Sequence, residues 1–278
     1  MKKKQYLLNI LYFMLAIAAM CVFALPIGLA IMTSFKSKPE LAHSVLSFPT
    51  TLYLDNYKGA IIRSDFLNSL KNTVLVVAPS VAIIVICASM SGYTVARHYR
   101  ESRVLRLLDK VYLASLMIPF QILMIPVYKI YKTLHLLNTL HGMVLMLVGT
   151  SIAYSSFLYV GFVKSIPHEI EESAYIDGCS QFKCFWVITF PLLKPISATV
   201  AALHTMWLWN DFNISVILLQ KEEVRTITIK QFYFFGKYTA DYGMAFAAAI
   251  LSMIPVVACF MLMQKYIVNG IVVGAVKS

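Results

Sequence analysis

The residues whose types and spacing best suit chemistry in this 278-residue sequence lie in one polar segment, 164–195, which reads KSIPHEIEESAYIDGCSQFKCFWVITFPLLKP. Pro167 suits a first helical turn, and Glu169, Glu171 and Glu172 place negative charge at the helix end whose dipole favours it. Ile170, Ala174 and Asp177 follow along one side at three- and four-residue spacing. Gly178 can then turn the chain with positive φ. A second amphipathic stretch carries Phe182, Phe185, Trp186 and Ile188 and is expected to stop at Pro191. This is recognition chemistry, not bond-making chemistry. Two short helices at a sharp corner, with aromatic residues beside it, form a knob that fits a cleft in a partner. The same pattern also suits an amphipathic pair resting on lipid headgroups.

A second polar group, His204, Thr205, Asn210, Asp211 and Asn213, sits in or beside a long apolar run. Polar side chains there are costly unless they face a cavity or a partner, so this run is the place to look for a pathway. A lone His204 reads as a packed or pathway-lining histidine and not as a catalyst. The sequence has no GxxxxGK(S/T) loop, since Gly236-Lys237 lacks the upstream glycine and the following hydroxyl. No Ser-His-Asp or Cys-His arrangement and no metal cluster is suggested. Cys21, Cys87, Cys179, Cys184 and Cys259 are too scattered for a disulfide framework and read as small buried apolar residues. The chain is not expected to be an enzyme.

These residues must be positioned by a strongly apolar chain. Hydrophobic types make up 59% of it and charged types 13%, against about 45–50% and about 25% in soluble domains. The mean hydropathy is +0.73. Six runs between charges read as spans: 5–35, 72–96, 111–128, 133–163, the run after Lys194 interrupted by Asp211, and 242–264. The fold class is therefore all-α, a polytopic membrane protein with six transmembrane helices. The net charge of +11 comes from short Lys and Arg clusters flanking apolar runs, which suits membrane lipid and excludes a nucleic-acid partner. Lys2, Lys3 and Lys4 precede an apolar run too long for a secretory signal, so an uncleaved first span is expected. An even number of spans puts both termini on one side. The cluster Arg97, Arg100, Arg103, Arg106 and Lys110 makes that side the cytoplasm, although Lys36, Lys38, Lys58, Lys221 and Lys230 fall outside. Gly270 and Gly274 are spaced for helix packing or belong to a flexible tail.

Glu172-Ser173-Ala174, then Gly178, then Ile188-Thr189-Phe190-Pro191 resembles the EAA signature of ABC-importer permease subunits, with Ser173 where that family usually has Ala and Phe190 where it usually has Leu. The likeness extends over nearly the whole chain and is to the carbohydrate-uptake branch, of the maltose-permease type. Ser34-Phe35-Lys36, Asn56-Tyr57, Asn68-Ser69, Asn72-Thr73, Met117-Ile118-Pro119, Ile125-Pro126, Leu137-Asn138-Thr139, Ile166-Pro167, Trp209-Asn210-Asp211-Phe212 and the terminal Gly274-Ala275-Val276-Lys277 carry it, the last ending in Ser278 instead of Gly.

The resemblance implies a plasma-membrane permease domain over 1–278, with core spans in 70–270 and a cytoplasmic coupling loop at 164–195. It implies a second permease, two ATPase subunits and an extracellular sugar-binding protein as partners. ATP and Mg would be used by the ATPase, and this chain would bind no cofactor. Glu172, Ser173, Ala174, Asp177, Gly178 and Pro191 would form the ATPase-coupling element, with Phe182 and Phe185 adding apolar contacts. His204, Trp207, Trp209, Asn210 and Asp211 become pathway or substrate candidates. The two tryptophans either stack on a sugar ring or join an interfacial belt. Polyamine or glycerol phosphate import within the same superfamily is an alternative. A self-sufficient secondary transporter would need ion-coupling residues within the spans, for which Asp211 alone is a candidate.

Overall fold

The computed structural model describes residues 2–232, 234 and 241–275, and among them there are helices and connections but no strand. Val276, Lys277 and Ser278 of the terminal motif and Gly236-Lys237 lie outside the described residues. The helices are α1 (Lys2–Ser34), α2 (Lys38–His43), α3 (Asp55–Arg63), α4 (Phe66–His98), α5 (Arg103–Ser115), α6 (Phe120–Thr133), α7 (Leu140–Val163), α8 (Glu169–Ile176), α9 (Gln181–Cys184), α10 (Phe190–Leu192), α11 (Lys194–Trp209), α12 (Asn213–Leu218), α13 (Ile227–Phe232) and α14 (Tyr242–Ala275). Four stretches, Leu8–Ser34, Phe66–His98, Leu140–Val163 and Tyr242–Leu262, are straight enough, long enough and apolar enough to cross a bilayer. Two bent pairs bring the number to six when each pair is one span.

The bends correct the sequence reading in two places. The third run is not one helix: α5 and α6 meet at 108°. Pro119, in extended conformation, begins α6, and a proline disfavours helix in the residue before it, so Leu116 to Ile118 cannot continue α5. The fourth span starts at Leu140, because His135 and Asn138 adopt positive φ and Thr139 caps the helix by accepting from the Gly142 amide. In the other direction, α14 continues through Gly270 and Gly274, so the backbone there is helix and not tail. Of the cysteines, Cys184 is buried but Cys21 and Cys87 are exposed on apolar helices. In a bilayer the surface of such a helix is itself an apolar environment, so exposure there costs a thiol little.

The chain divides into two compact units: Met1–Leu67 with Lys230–Ile254, and Asn68–Ile229 with Pro255–Ser278. In the first, the connection after α1 is bolted to its own backbone. Asn56 Nδ2, buried, donates to the carbonyls of Ser34 and Lys36 at 2.9 and 2.8 Å. The Lys36 ammonium, also buried, donates to the carbonyls of Ser44 and Val45 and to Ser47 Oγ. Glu40 accepts from the Ser37 amide and from Thr50, and the Thr50 hydroxyl is the main cause that lowers its carboxyl to about 2. A Cβ on Gly243 would lie 2.6 Å from Asn56 Nδ2, so that helix packs against the bolt without a side chain.

The second unit holds the larger core, which includes Val76, Ile84, Leu147, Tyr159 and Val200. Its connections are locked in the same manner. Asn72 Nδ2 donates to the carbonyls of Glu223 and Arg225, Thr73 Oγ1 accepts from the Ile227 amide, and Asn138 Oδ1 accepts from the amides of Gln220 and Lys221.

Asn56→Ala is expected to leave two buried carbonyls without a donor, at about 1–3 kcal/mol each. A lowered midpoint of thermal unfolding in detergent checks this, and Gly243→Ala should act in the same direction. Because the folded Glu40 carboxyl titrates below its ordinary value of 4.5, its contribution is complete above that value and disappears as pH falls through about 2. Proteolysis of residues 37–54 should therefore be unchanged between neutral pH and about pH 4.5.

Candidate functional site

Residues 164–195 fold as two short helices joined at a tight corner. Pro167 precedes α8, whose first turn carries Glu169, Glu171 and Glu172. The helix ends in a Schellman motif: the Cys179 amide donates to the Ala174 carbonyl, the Gly178 amide donates to the Tyr175 carbonyl, and Gly178 has φ +80°. A Cβ on Gly178 would meet nothing within 4 Å, so the backbone conformation alone calls for glycine. Ser180 then caps α9 by accepting from the Lys183 amide.

Pro191 does not end this second helix. Phe185–Thr189 form a π-helical turn, and α10 follows with Pro191 in its first turn. A proline ring clashes with the carbonyl four residues back, and the wider π turn makes room for it. The chain turns only afterwards, by 73°, into α11.

The acidic residues of α8 are divided between two faces. Glu172 is exposed and pairs with His168 at 3.0 Å. Glu171 is buried. Its Oε1 accepts from Arg97 Nη2 at 2.7 Å and Nε at 3.0 Å, and its Oε2 accepts from the Tyr93 hydroxyl at 3.0 Å. The two side chains are only 8% and 2% exposed. Arg97 Nη2 also donates to the Ile166 carbonyl, and Tyr93 meets the Tyr175 hydroxyl at 3.2 Å. Burial holds the Tyr175 hydroxyl above its ordinary value, which keeps it protonated. Sequence reasoning missed this joint. Its one signal is that Glu171 stands three residues before the buried Ala174 on the same helical face, while Arg97 ends an apolar run.

The remaining residues of the segment separate in the same way. Ser173 and Asp177 are exposed, as is Ile176 at 86%. Phe182 is 68% exposed and lies edge-on to Trp186. Phe185, expected as an apolar contact beside it, is 4% exposed and packs on Tyr93 at 5.2 Å, so its contacts are internal.

The second polar group is also divided. His204 is buried and meets Ser155 Oγ at 2.6 Å. Asp211 accepts from the amides of Ile214 and Ser215 and from the Ser215 hydroxyl, which makes it the cap of α12. Asn210 donates back to the Met206 carbonyl. Trp209 is buried, with its carbonyl accepting from Thr228, so it is a core residue and not part of an interfacial belt. Trp207 alone of the two tryptophans presents a face, being 50% exposed.

Removing the guanidinium with Arg97→Met should leave an unpaired buried carboxylate and destabilise the protein by about 3–5 kcal/mol. Arg97→Met combined with Glu171→Leu should recover most of that loss, as read from detergent thermal stability of the two variants.

Comparison with known proteins places this geometry. Residues 85–273 match the family described as binding-protein-dependent transport system inner membrane component. The chain is 36% identical over 274 residues to the probable starch degradation products transport system permease protein AmyC of Thermoanaerobacterium thermosulfurigenes, covering 99% of this chain and 97% of that one. It is 32% identical to the melibiose/raffinose/stachyose import permease protein MelC of Bacillus subtilis over 95% of both chains. The multiple sugar-binding transport system permease protein MsmG of Streptococcus mutans is 30% identical over the full length of each. Among solved structures, a chain of a bacterial ABC transporter involved in the import of the acidic polysaccharide alginate superposes with a TM-score of 0.76 at 21% identity, covering 92% of this chain and 96% of that one. A multi-pass helical architecture, the EAA-like corner and a family match over most of its length together show that the chain belongs to the binding-protein-dependent transport system inner membrane components.

Proposed function

We propose that this protein is the transmembrane permease subunit of an ATP-driven importer of mono- or oligosaccharides. It forms half of the translocation pathway beside a second permease. An extracellular sugar-binding protein delivers the substrate, and separate ABC ATPase subunits hydrolyse ATP with Mg. Both termini and the 164–195 segment face the cytoplasm, in keeping with the Arg97–Lys110 basic cluster.

The observation that carries this reading is the division of the α8 corner into two sides. One side, Glu172, Ser173, Ile176, Asp177 and Phe182, is turned outward and suits a cleft in the ATPase. The other, Glu171 and Ala174, is held against α4 by Arg97 and Tyr93. A push on the outward side is thereby delivered to a membrane-spanning helix and not dissipated in a loop. Such coupling requires that the ATPase contact the corner differently in its two nucleotide states. The sugar reading is supported by the three relatives, whose names specify starch products, multiple sugars and raffinose-type oligosaccharides.

Gly178→Val places a β-branched residue at φ +80°, where an L residue is strained by about 1–2 kcal/mol. The expected result is insertion at normal levels with uptake of labelled maltotetraose or raffinose reduced to about a tenth or less, the corner no longer fitting its cleft. Co-purification in mild detergent should recover an ATPase and a second permease with the wild-type chain. Sugar uptake by this chain alone, or uptake of a polyamine or glycerol phosphate in place of sugars, would contradict the assignment.

A further inference from the structure

Away from the α8 corner, α7 and α11 bring three aromatic side chains together. Trp207 lies 5.3 Å from the Tyr154 ring and 5.3 Å from the His204 ring, and Tyr154 and His204 are 6.4 Å apart. His204 is the fixed member: it is 2% exposed, with one nitrogen on Ser155 Oγ and the other, Nδ1, buried without a partner. At 1.5 Å per residue His204 stands about 15 Å and Trp207 about 20 Å along α11 from Lys194, and Tyr154 about 13 Å along α7 from Val163. In a hydrocarbon layer about 30 Å thick these positions are central.

That depth is the anomaly. Tryptophan and tyrosine gather at the two membrane interfaces, and a histidine at mid-depth is costly unless it serves a cavity or a pathway. Transport substrates bind near the same level. The exposed face differs from a lipid-facing one as well. On α1 the outward residues are aliphatic or aromatic, such as Phe13, Val22, Phe23 and Leu25, whereas α7 exposes Thr150 near Tyr154, and α11 exposes Asn210 one turn beyond Trp207. Neither α7 nor α11 after Lys194 contains an Asp, Glu, Lys or Arg, so what this face receives is polar and uncharged.

We infer that Tyr154 and Trp207, braced by His204, form a stacking platform for the ring of a neutral sugar in transit. This rests on the sugar-importer reading above. The apolar C–H face of a pyranose suits an exposed indole face, while the Tyr154 hydroxyl and the indole N–H supply hydrogen bonds to its hydroxyls. His204, buried behind them, is a positioning residue. The wider set of polar residues first singled out as a pathway is thereby reduced. Trp209 packs and Asp211 caps, and the ring-binding role falls to Trp207 with a partner from another helix.

The test uses the full importer, with its ATPases, second permease and binding protein, in proteoliposomes supplied with labelled maltotetraose or raffinose. Trp207→Ala and Tyr154→Leu should each lower uptake about tenfold, the scale of one lost aromatic contact. Binding-protein-stimulated ATP hydrolysis should persist, so that fewer sugars enter per ATP, and Trp207→Phe should keep at least half of the uptake. Unchanged uptake by Trp207→Ala in a complex whose wild type transports these sugars would overturn the platform and leave the importer reading intact. Parallel loss of uptake, ATP hydrolysis and complex assembly in both Trp207 variants would overturn it too, marking Trp207 as a contact to the second permease. A wild-type complex that takes up neither sugar removes both readings.

Discussion

The buried pair between Arg97 and Glu171 is the contact on which the rest of the site depends. An ion pair removed from water pays a large desolvation cost on each side, recovered only when geometry is good and the remaining hydrogen-bonding positions are filled. Here both carboxylate oxygens are used, and the guanidinium also reaches the Ile166 carbonyl at the approach to α8. The same few atoms thus fix where α8 begins, how it is rotated and which of its acids face outward. Two apolar residues of similar volume could hold α8 equally firmly, but they would slide. A directional pair sets one position.

The same device recurs where connections meet helices. Asn56, Asn72 and Asn138 each spend a side-chain amide on backbone groups far away in sequence, and Lys36 gathers three oxygens of one loop. In a chain that meets lipid, irregular backbone must be satisfied from within the protein, because water cannot be relied on as a partner. Short polar side chains with two hydrogen-bonding ends are suited to this, and they explain why polar residues cluster at the ends of apolar runs here.

How much of this was legible in the sequence follows from the range of each interaction. The apolar runs, the acidic first turn of α8 and the need for glycine at 178 are local properties, and charge spacing or a single backbone angle reveals them. The bend between α5 and α6 was partly legible in Pro119, but the lack of charge across 111–128 concealed it. The Glu171 joint and the burial of Phe185 were not legible, because they depend on α4 lying against α8, a relation between residues more than seventy positions apart. Likewise Trp207 and Trp209 look equivalent in sequence. They separate only once the neighbouring helices decide which face is covered.

The π-helical turn at Phe185–Thr189 has a consequence for the length of this segment. Each residue of a helix advances the side chains by about 100° around its axis. One residue added to a helical turn therefore acts as a phase shift for everything beyond it. Phe185 reaches Tyr93 while α11 directs His204 at Ser155 because the count of residues between them includes that extra step. Closing the π turn by removing one residue would keep every helix and every side chain chemistry, yet would rotate the corner about its own axis relative to α11. The spacing from Gly178 to Pro191 is thus an angular setting as much as a distance.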